Sequence, residues 1–260
     1  MAGLDLLIRN EAGLLVLEAI RISAMVIIAP LGFTQAPVRV KAALVVLLTL
    51  AAHGDFGHVL ISEAPVEGLA FSAANEFVLG LAIGAVPRLI IAAVEVAGEE
   101  IAPMMGLGVA QIFDPTSHAT QNAITSILRN LAVLLGVLVG LHRVVIGAVI
   151  GSFHAVPAGS IRSVSNLTEM MMTLTNDAIT TGVKMSIPIL AVLLVTQVAL
   201  AFVSRAAPAM QVFSIGFAVT TGVGALLLFL TLPDFGYDVV AEMSRAGERI
   251  EALVLAVKEP

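Results

Sequence analysis

Five histidines, at 53, 58, 118, 142 and 154, are the first residues to test for chemistry. No two of them stand four apart around a glutamate, as the zinc-binding helix of a metalloprotease requires, so the sequence points to no metal site. Cysteine is absent, which removes thiol nucleophiles, disulfides, zinc–thiolate sites and iron–sulfur clusters together. An intramembrane aspartyl protease needs two aspartates facing each other, one in a Gly-x-Gly-Asp setting. Gly236-Tyr237-Asp238 and His53-Gly54-Asp55 approach that pattern at the ends of apolar runs without matching it. Nucleophile elbows and phosphate-binding glycine loops are also missing, so the chain is expected to be no enzyme and to carry no cofactor. Its 13 Lys+Arg are unclustered in a chain of net charge -6, which argues against nucleic acid as a partner.

What remains is charge in unusual surroundings. Of the 260 residues, 58% are hydrophobic and 12% charged, and the mean hydropathy is +1.02, so lipid or apolar partner surface must replace water around much of the protein. The run 12–30 carries Glu18 and Arg21, the run 69–97 carries Glu76, Arg88 and Glu95 around Pro87, and the run 127–151 carries Arg129, His142 and Arg143. A charge at the bilayer centre costs about 2.5–3.5 kcal/mol on insertion scales. Two readings follow. These side chains face a protein interior, a partner or a watery path, or they sit near span ends and snorkel.

The elements that must position them are helices, because a bilayer span needs about 20 apolar residues with every backbone group paired internally. From Met185 to Pro233 the only charged residue is Arg205, which predicts spans over 185–203 and 209–232 joined as a helical hairpin. The run 40–52 is too short to cross comfortably. No cleavable secretory signal is expected at the N-terminus, where the apolar stretch continues as a retained membrane segment. Acidic residues Asp55, Glu63 and Glu67 place 53–68 outside, and Arg39 with Lys41 place the preceding turn in the cytoplasm. The other connections do not obey that rule and leave the topology open.

Glycines recur four apart at Gly80/Gly84, Gly136/Gly140 and Gly147/Gly151, a spacing that lets a second helix backbone approach closely. The connection 98–122 is long and glycine-rich, with Met104, Met105, Gly106, Gly108, Phe113, Asp114 and Pro115. Composition alone favours a surface loop covering helix ends. The alternative is a deformable methionine seal around something that passes through. Residues 234–260 carry Val239, Val240, Met243, Ile250, Leu253 and Val254 at helical intervals among charges, which predicts an amphipathic tail that docks on a partner or membrane surface, or else a plain solvated helix.

An ordered set of motifs narrows these readings. Glu76-Phe-Val-Leu-Gly80, Pro87-Arg88, Ala97-Gly98-Glu99, Met105-Gly-Leu-Gly108 and Phe113-Asp114-Pro115 come first. Gly140-Leu-His142, Ser152-Phe153, Val156-Pro157-Ala-Gly159 and Ser204-Arg205-Ala-Ala-Pro208 follow, with Phe213 and Gly216-Phe217 behind them. The order resembles the FliR/SctT family of the bacterial type III export apparatus over about residues 10–232. The family's Pro-Gln-x-Asn-x-Phe reads Pro208-Ala209-Met210-Gln211-Val212-Phe213 here, so an amide survives at Gln211.

The resemblance implies an all-α, polytopic membrane-associated protein whose helical hairpins pack into a hetero-oligomeric pore complex. Residues 1–233 would be the export-gate domain and 234–260 its tail. FliP-like and FliQ-like subunits would be its partners, with FlhB-like and FlhA-like export proteins beside them, in the flagellar basal body of the bacterial inner membrane. Unfolded flagellar substrates would pass the loop at about 104–122 as a plug, driven by the proton motive force and a partner ATPase. Partner subunits would then cover Glu76, Arg88, Glu95, Lys184, Arg205, Gln211 and Phe213, and would explain the missing tryptophans. A small secondary transporter is the alternative, with Pro87 and Pro188 breaking helices around Glu76, Arg88, Glu95 and Lys184.

Overall fold

The computed structural model describes residues 2–30, 36–55, 66–107, 122–161, 163–206 and 212–258. Among these the chain is helical without strands. Its helices are α1 (Ala2–Ile28), α2 (Val38–Asp55), α3 (Val66–Met104), α4 (Ala123–Val139), α5 (Leu141–Ala155), α6 (Ser165–Ala206), α7 (Val212–Ser244) and α8 (Ala246–Lys258). Three stretches, Leu69–Met104, Ser165–Ala206 and Ile215–Val257, are long and apolar enough to cross a membrane.

The expected helix breaks at proline do not occur. Pro87 lies inside α3, Pro188 inside α6 and Pro233 inside α7. In apolar surroundings, leaving the helix would strand many backbone groups, whereas a proline forfeits a single hydrogen bond. This corrects the broken-helix geometry of the transporter reading, and Pro233 is no element boundary either. The predicted span 185–203 is part of the longer α6, and residues 212–232 of the second span belong to α7, which runs on to Ser244. The expected loop over 98–122 is corrected as well, because α3 continues through Met104.

The chain forms two compact units. One comprises Met1–Leu89, Gly136–Thr175 and Met243–Pro260. Here α1 packs on α2 and on α5, and α3 crosses α1 at the glycines anticipated for close approach. A Cβ at Gly80 would overlap the carbonyl oxygen of Arg21, and one at Gly84 would meet the Met25 carbonyl oxygen at 2.8 Å. Helix α8 lays Ala246, Ile250, Leu253, Val254 and Val257 inward and packs against α5. The C-terminal apolar stripe therefore docks within its own chain, which corrects the expectation of a partner or membrane surface. Gly147 and Gly151 on α5 have open space above them and line a groove with Gly247, Ile250 and Val254.

The second unit comprises Ile90–Leu135 and Asn176–Glu242. Ile101, Met105, Ile189 and Leu193 form its buried centre, flanked by Leu107, Ile124, Val223 and Leu227. Gly182 of α6 sits against the Ala93 carbonyl oxygen of α3, and Gly98 of α3 sits against Thr125 of α4. Asn122 caps α4, its Oδ1 accepting from the Thr125 backbone N–H at 2.9 Å.

Candidate functional site

The most unusual chemistry lies in the first unit. Arg21 of α1 and Glu76 of α3 are both 0% exposed, and Nε of Arg21 donates to Oε2 of Glu76 at 2.6 Å. Nη1 of Arg21 donates to the Ser152 hydroxyl at 2.9 Å, Nη2 donates to the Val156 carbonyl at 3.0 Å, and the guanidinium carbon lies 4.2 Å from the centre of the Phe153 ring. The second Glu76 oxygen accepts the Gly159 backbone N–H at 2.8 Å. Beside it, the Asn75 amide donates to the Ile161 carbonyl at 3.1 Å. A buried charge pair survives only when its remaining donors and acceptors are satisfied, and here helices α1, α3 and α5 and the segment after α5 satisfy them. A second pair lies on α1 and α2, where His53 Nδ1 and Glu18 Oε2 are 3.2 Å apart.

The second unit holds the root of the mid-chain connection. Helix α3 ends in a Schellman motif. Gly106, at φ +87, donates to the Pro103 carbonyl at 2.9 Å, and Leu107 donates to the Ala102 carbonyl at 3.1 Å. Helix α7 clamps this turn, with the Thr221 hydroxyl donating to the Met105 carbonyl at 2.8 Å and the Thr220 hydroxyl at 3.3 Å. From α6, the Gln197 amide donates to the Met104 carbonyl at 3.0 Å. The Met105 side chain is 1% exposed and packs onto Gly224.

The residues singled out by sequence are dispersed. Glu76 joins the Arg21 network, and Arg88 is half-buried on α3 in the same unit. Glu95 is buried in the second unit, with Arg129 of α4 at 4.0 Å. Lys184 and Arg205 are exposed on α6, and Phe213 lies in the first turn of α7. Met104 is half-buried, Met105 is buried and Gly106 forms the turn. Gly108, Phe113, Asp114, Pro115 and Gln211 lie outside the described residues. Sequence reasoning registered Arg21 only as a stray charge and missed Asn75, Ser152 and Gly159 as its companions. The available signal was the Ser152-Phe153 and Val156-Pro157-Ala-Gly159 fragments, which converge on Arg21 and Glu76. Among the described residues no three His, Asp or Glu side chains gather as a metal ligand set.

Long apolar helices, a buried Arg21–Glu76 pair satisfied inside the chain and glycine-mediated helix crossings define a polytopic α-helical membrane protein. Residues 12–246 match the family model described as "Bacterial export proteins, family 1". The chain is 30% identical over 217 residues to the flagellar biosynthetic protein FliR of Escherichia coli (strain K12), covering 82% of each chain. It is 26% identical over 217 residues to that of Caulobacter vibrioides, covering 82% of this chain and 85% of the relative. It is 32% identical over 162 residues to that of Aquifex aeolicus, covering 62% of each. The chain belongs to the FliR family of bacterial export proteins, and so to the flagellar export apparatus in the bacterial inner membrane.

Proposed function

We propose that the chain is a non-enzymatic export-gate subunit. In this reading it assembles with FliP-like and FliQ-like subunits, beside FlhB-like and FlhA-like proteins, into a channel for unfolded flagellar substrates. The observation that carries the reading is the outward apolar surface of two helices. Only 17% of the most apolar window of Ser165–Ala206, and 11% of that of Ile215–Val257, is buried within the chain. Phe202, Phe229 and Leu230 are exposed there, and a chain with no tryptophan and one tyrosine lacks the aromatic belt expected of surfaces that meet lipid alone. Partner helices would cover these faces and would also meet the exposed Lys184 and Arg205.

The connection at about 104–122 would be the plug of that channel. The clamped Schellman turn supports this, because a plug must swing from a fixed root. Met105 and Gly106 then serve as the root rather than the seal. Met104, the last residue of α3 with its carbonyl held by Gln197, belongs to the root as well, and Gly108, Phe113, Asp114 and Pro115 would block ions until a substrate threads through. Phe213, in the first turn of α7, and Gln211 would fall to the contact with neighbouring subunits.

Native mass spectrometry of the affinity-tagged protein, extracted from its own host in mild detergent, tests the assembly. The expected result is this chain together with several copies each of two smaller hydrophobic proteins. A stable monomer or homodimer overturns the reading. Replacing Gly108 with a bulky residue should reduce flagellar secretion, and unchanged secretion and motility would remove the plug role.

A further inference from the structure

The Arg21–Glu76 pair spends its hydrogen bonds in a way that charge neutralisation alone does not require. Three buried side chains on two helices each hold a backbone atom of one short irregular segment: Arg21 holds the Val156 carbonyl, Glu76 holds the Gly159 N–H and Asn75 holds the Ile161 carbonyl. The segment lies between the end of α5 at Ala155 and the start of α6 at Ser165. Gly159 sits at φ +81, and a Cβ there would approach a Leu17 methyl group to 3.2 Å, so the segment is pressed against α1 in a shape that glycine alone adopts without strain. Ser152, which orients Arg21 from α5, is tied in turn to the Val149 carbonyl at 2.7 Å.

A buried ion pair contributes little net stability, since desolvation offsets its attraction, and its best-attested use is to specify one arrangement among several. We propose that Arg21, Asn75 and Glu76 form a lock that selects a single conformation of residues 156–161, making the connection into α6 a fixed bracket rather than a hinge. The lock presents the exposed Ser160 in one place and sets where the first turns of α6 begin. It involves positioning only and does not depend on the channel reading.

Amide hydrogen exchange on the full chain in its detergent-extracted complex reads the lock directly, because the Gly159 N–H is one of its bonds. Combining Arg21→Met with Glu76→Met removes two anchors and leaves no unpaired charge. Peptides covering 156–161 should then exchange about tenfold faster or more, with α1 and α3 unchanged. Arg21→Lys separates the two roles, because it keeps the charge but loses the fork that reaches Glu76, Ser152 and Val156 together. It should also speed exchange of the segment, whereas exchange at the wild-type rate in either variant would overturn the lock. Should the double variant fail to accumulate, Asn75→Ala keeps the ion pair and removes only the Ile161 anchor. Faster exchange at the end of the segment is expected, and an unchanged rate would again overturn the proposal.

Discussion

Arg21 and Glu76 are the residues at which a single atom matters most. Truncating Arg21 to alanine leaves a carboxylate fully buried without its partner, which costs about 3–5 kcal/mol in comparable pairs. Arg21→Ala should therefore nearly abolish accumulation of the chain in membranes, read on a blot of the tagged protein. Arg21→Met with Glu76→Met should recover much of it, since no charge is stranded. Equal losses in single and double variants would show that packing rather than charge governs the site. Gly106 allows a finer test. Asparagine tolerates its left-handed conformation, yet a Cβ there would come within 2.9 Å of the Phe217 ring. Gly106→Asn should lower thermal stability of the extracted complex by several degrees. Adding Phe217→Leu should restore most of that loss if the clash is its source, and failure to restore would point to the backbone instead.

Between elements, identical sequence patterns turn out to do opposite things. Gly80/Gly84 and Gly147/Gly151 share one spacing, but the first pair is closed against α1 and the second has open space above it. Gly80→Leu should drive α1 and α3 apart and lose the chain from the membrane, whereas Gly147→Leu should leave its level near wild type, both read by quantitative blotting. Loss of both would mean that the α5 face is also packed in the cell. The spacing was legible in the sequence and the difference was not, because which helix lies opposite is a tertiary fact. The same division runs through the other elements. Apolar runs announced α3, α6 and α7, since a bilayer imposes helices on any such run. Pro188 and Pro233 suggested ends that the helices ignore, and the glycines and methionines after Gly98 suggested a loop although the Schellman glycine is Gly106. Arg21 looked like one more intruding charge, because its partners lie 55 and 131 residues away in the chain.

For the molecule as a whole, the first unit satisfies its buried Arg21–Glu76 pair internally while α6 and α7 leave large apolar side chains outward, Phe202 and Phe229 at 69% and 74% exposure. Lipid and partner helices both accept such surface, and they respond differently to a change of polarity. An uncharged amide facing lipid costs insertion energy that depends on depth and lowers the level of the chain itself. The same amide inside a packed subunit contact leaves an unsatisfied polar group against a neighbour, so it acts on assembly at an ordinary chain level. Phe202→Gln and Phe229→Gln separate these cases when the level of the chain in membranes and the yield of the native complex are measured on the same cells. The export-gate reading expects an unchanged chain level with the complex reduced about tenfold, the factor for about 1.4 kcal/mol of lost association energy in each variant. A reduced chain level with the surviving protein fully assembled would assign the face to lipid instead, and would confine the partner contacts to the shorter helices.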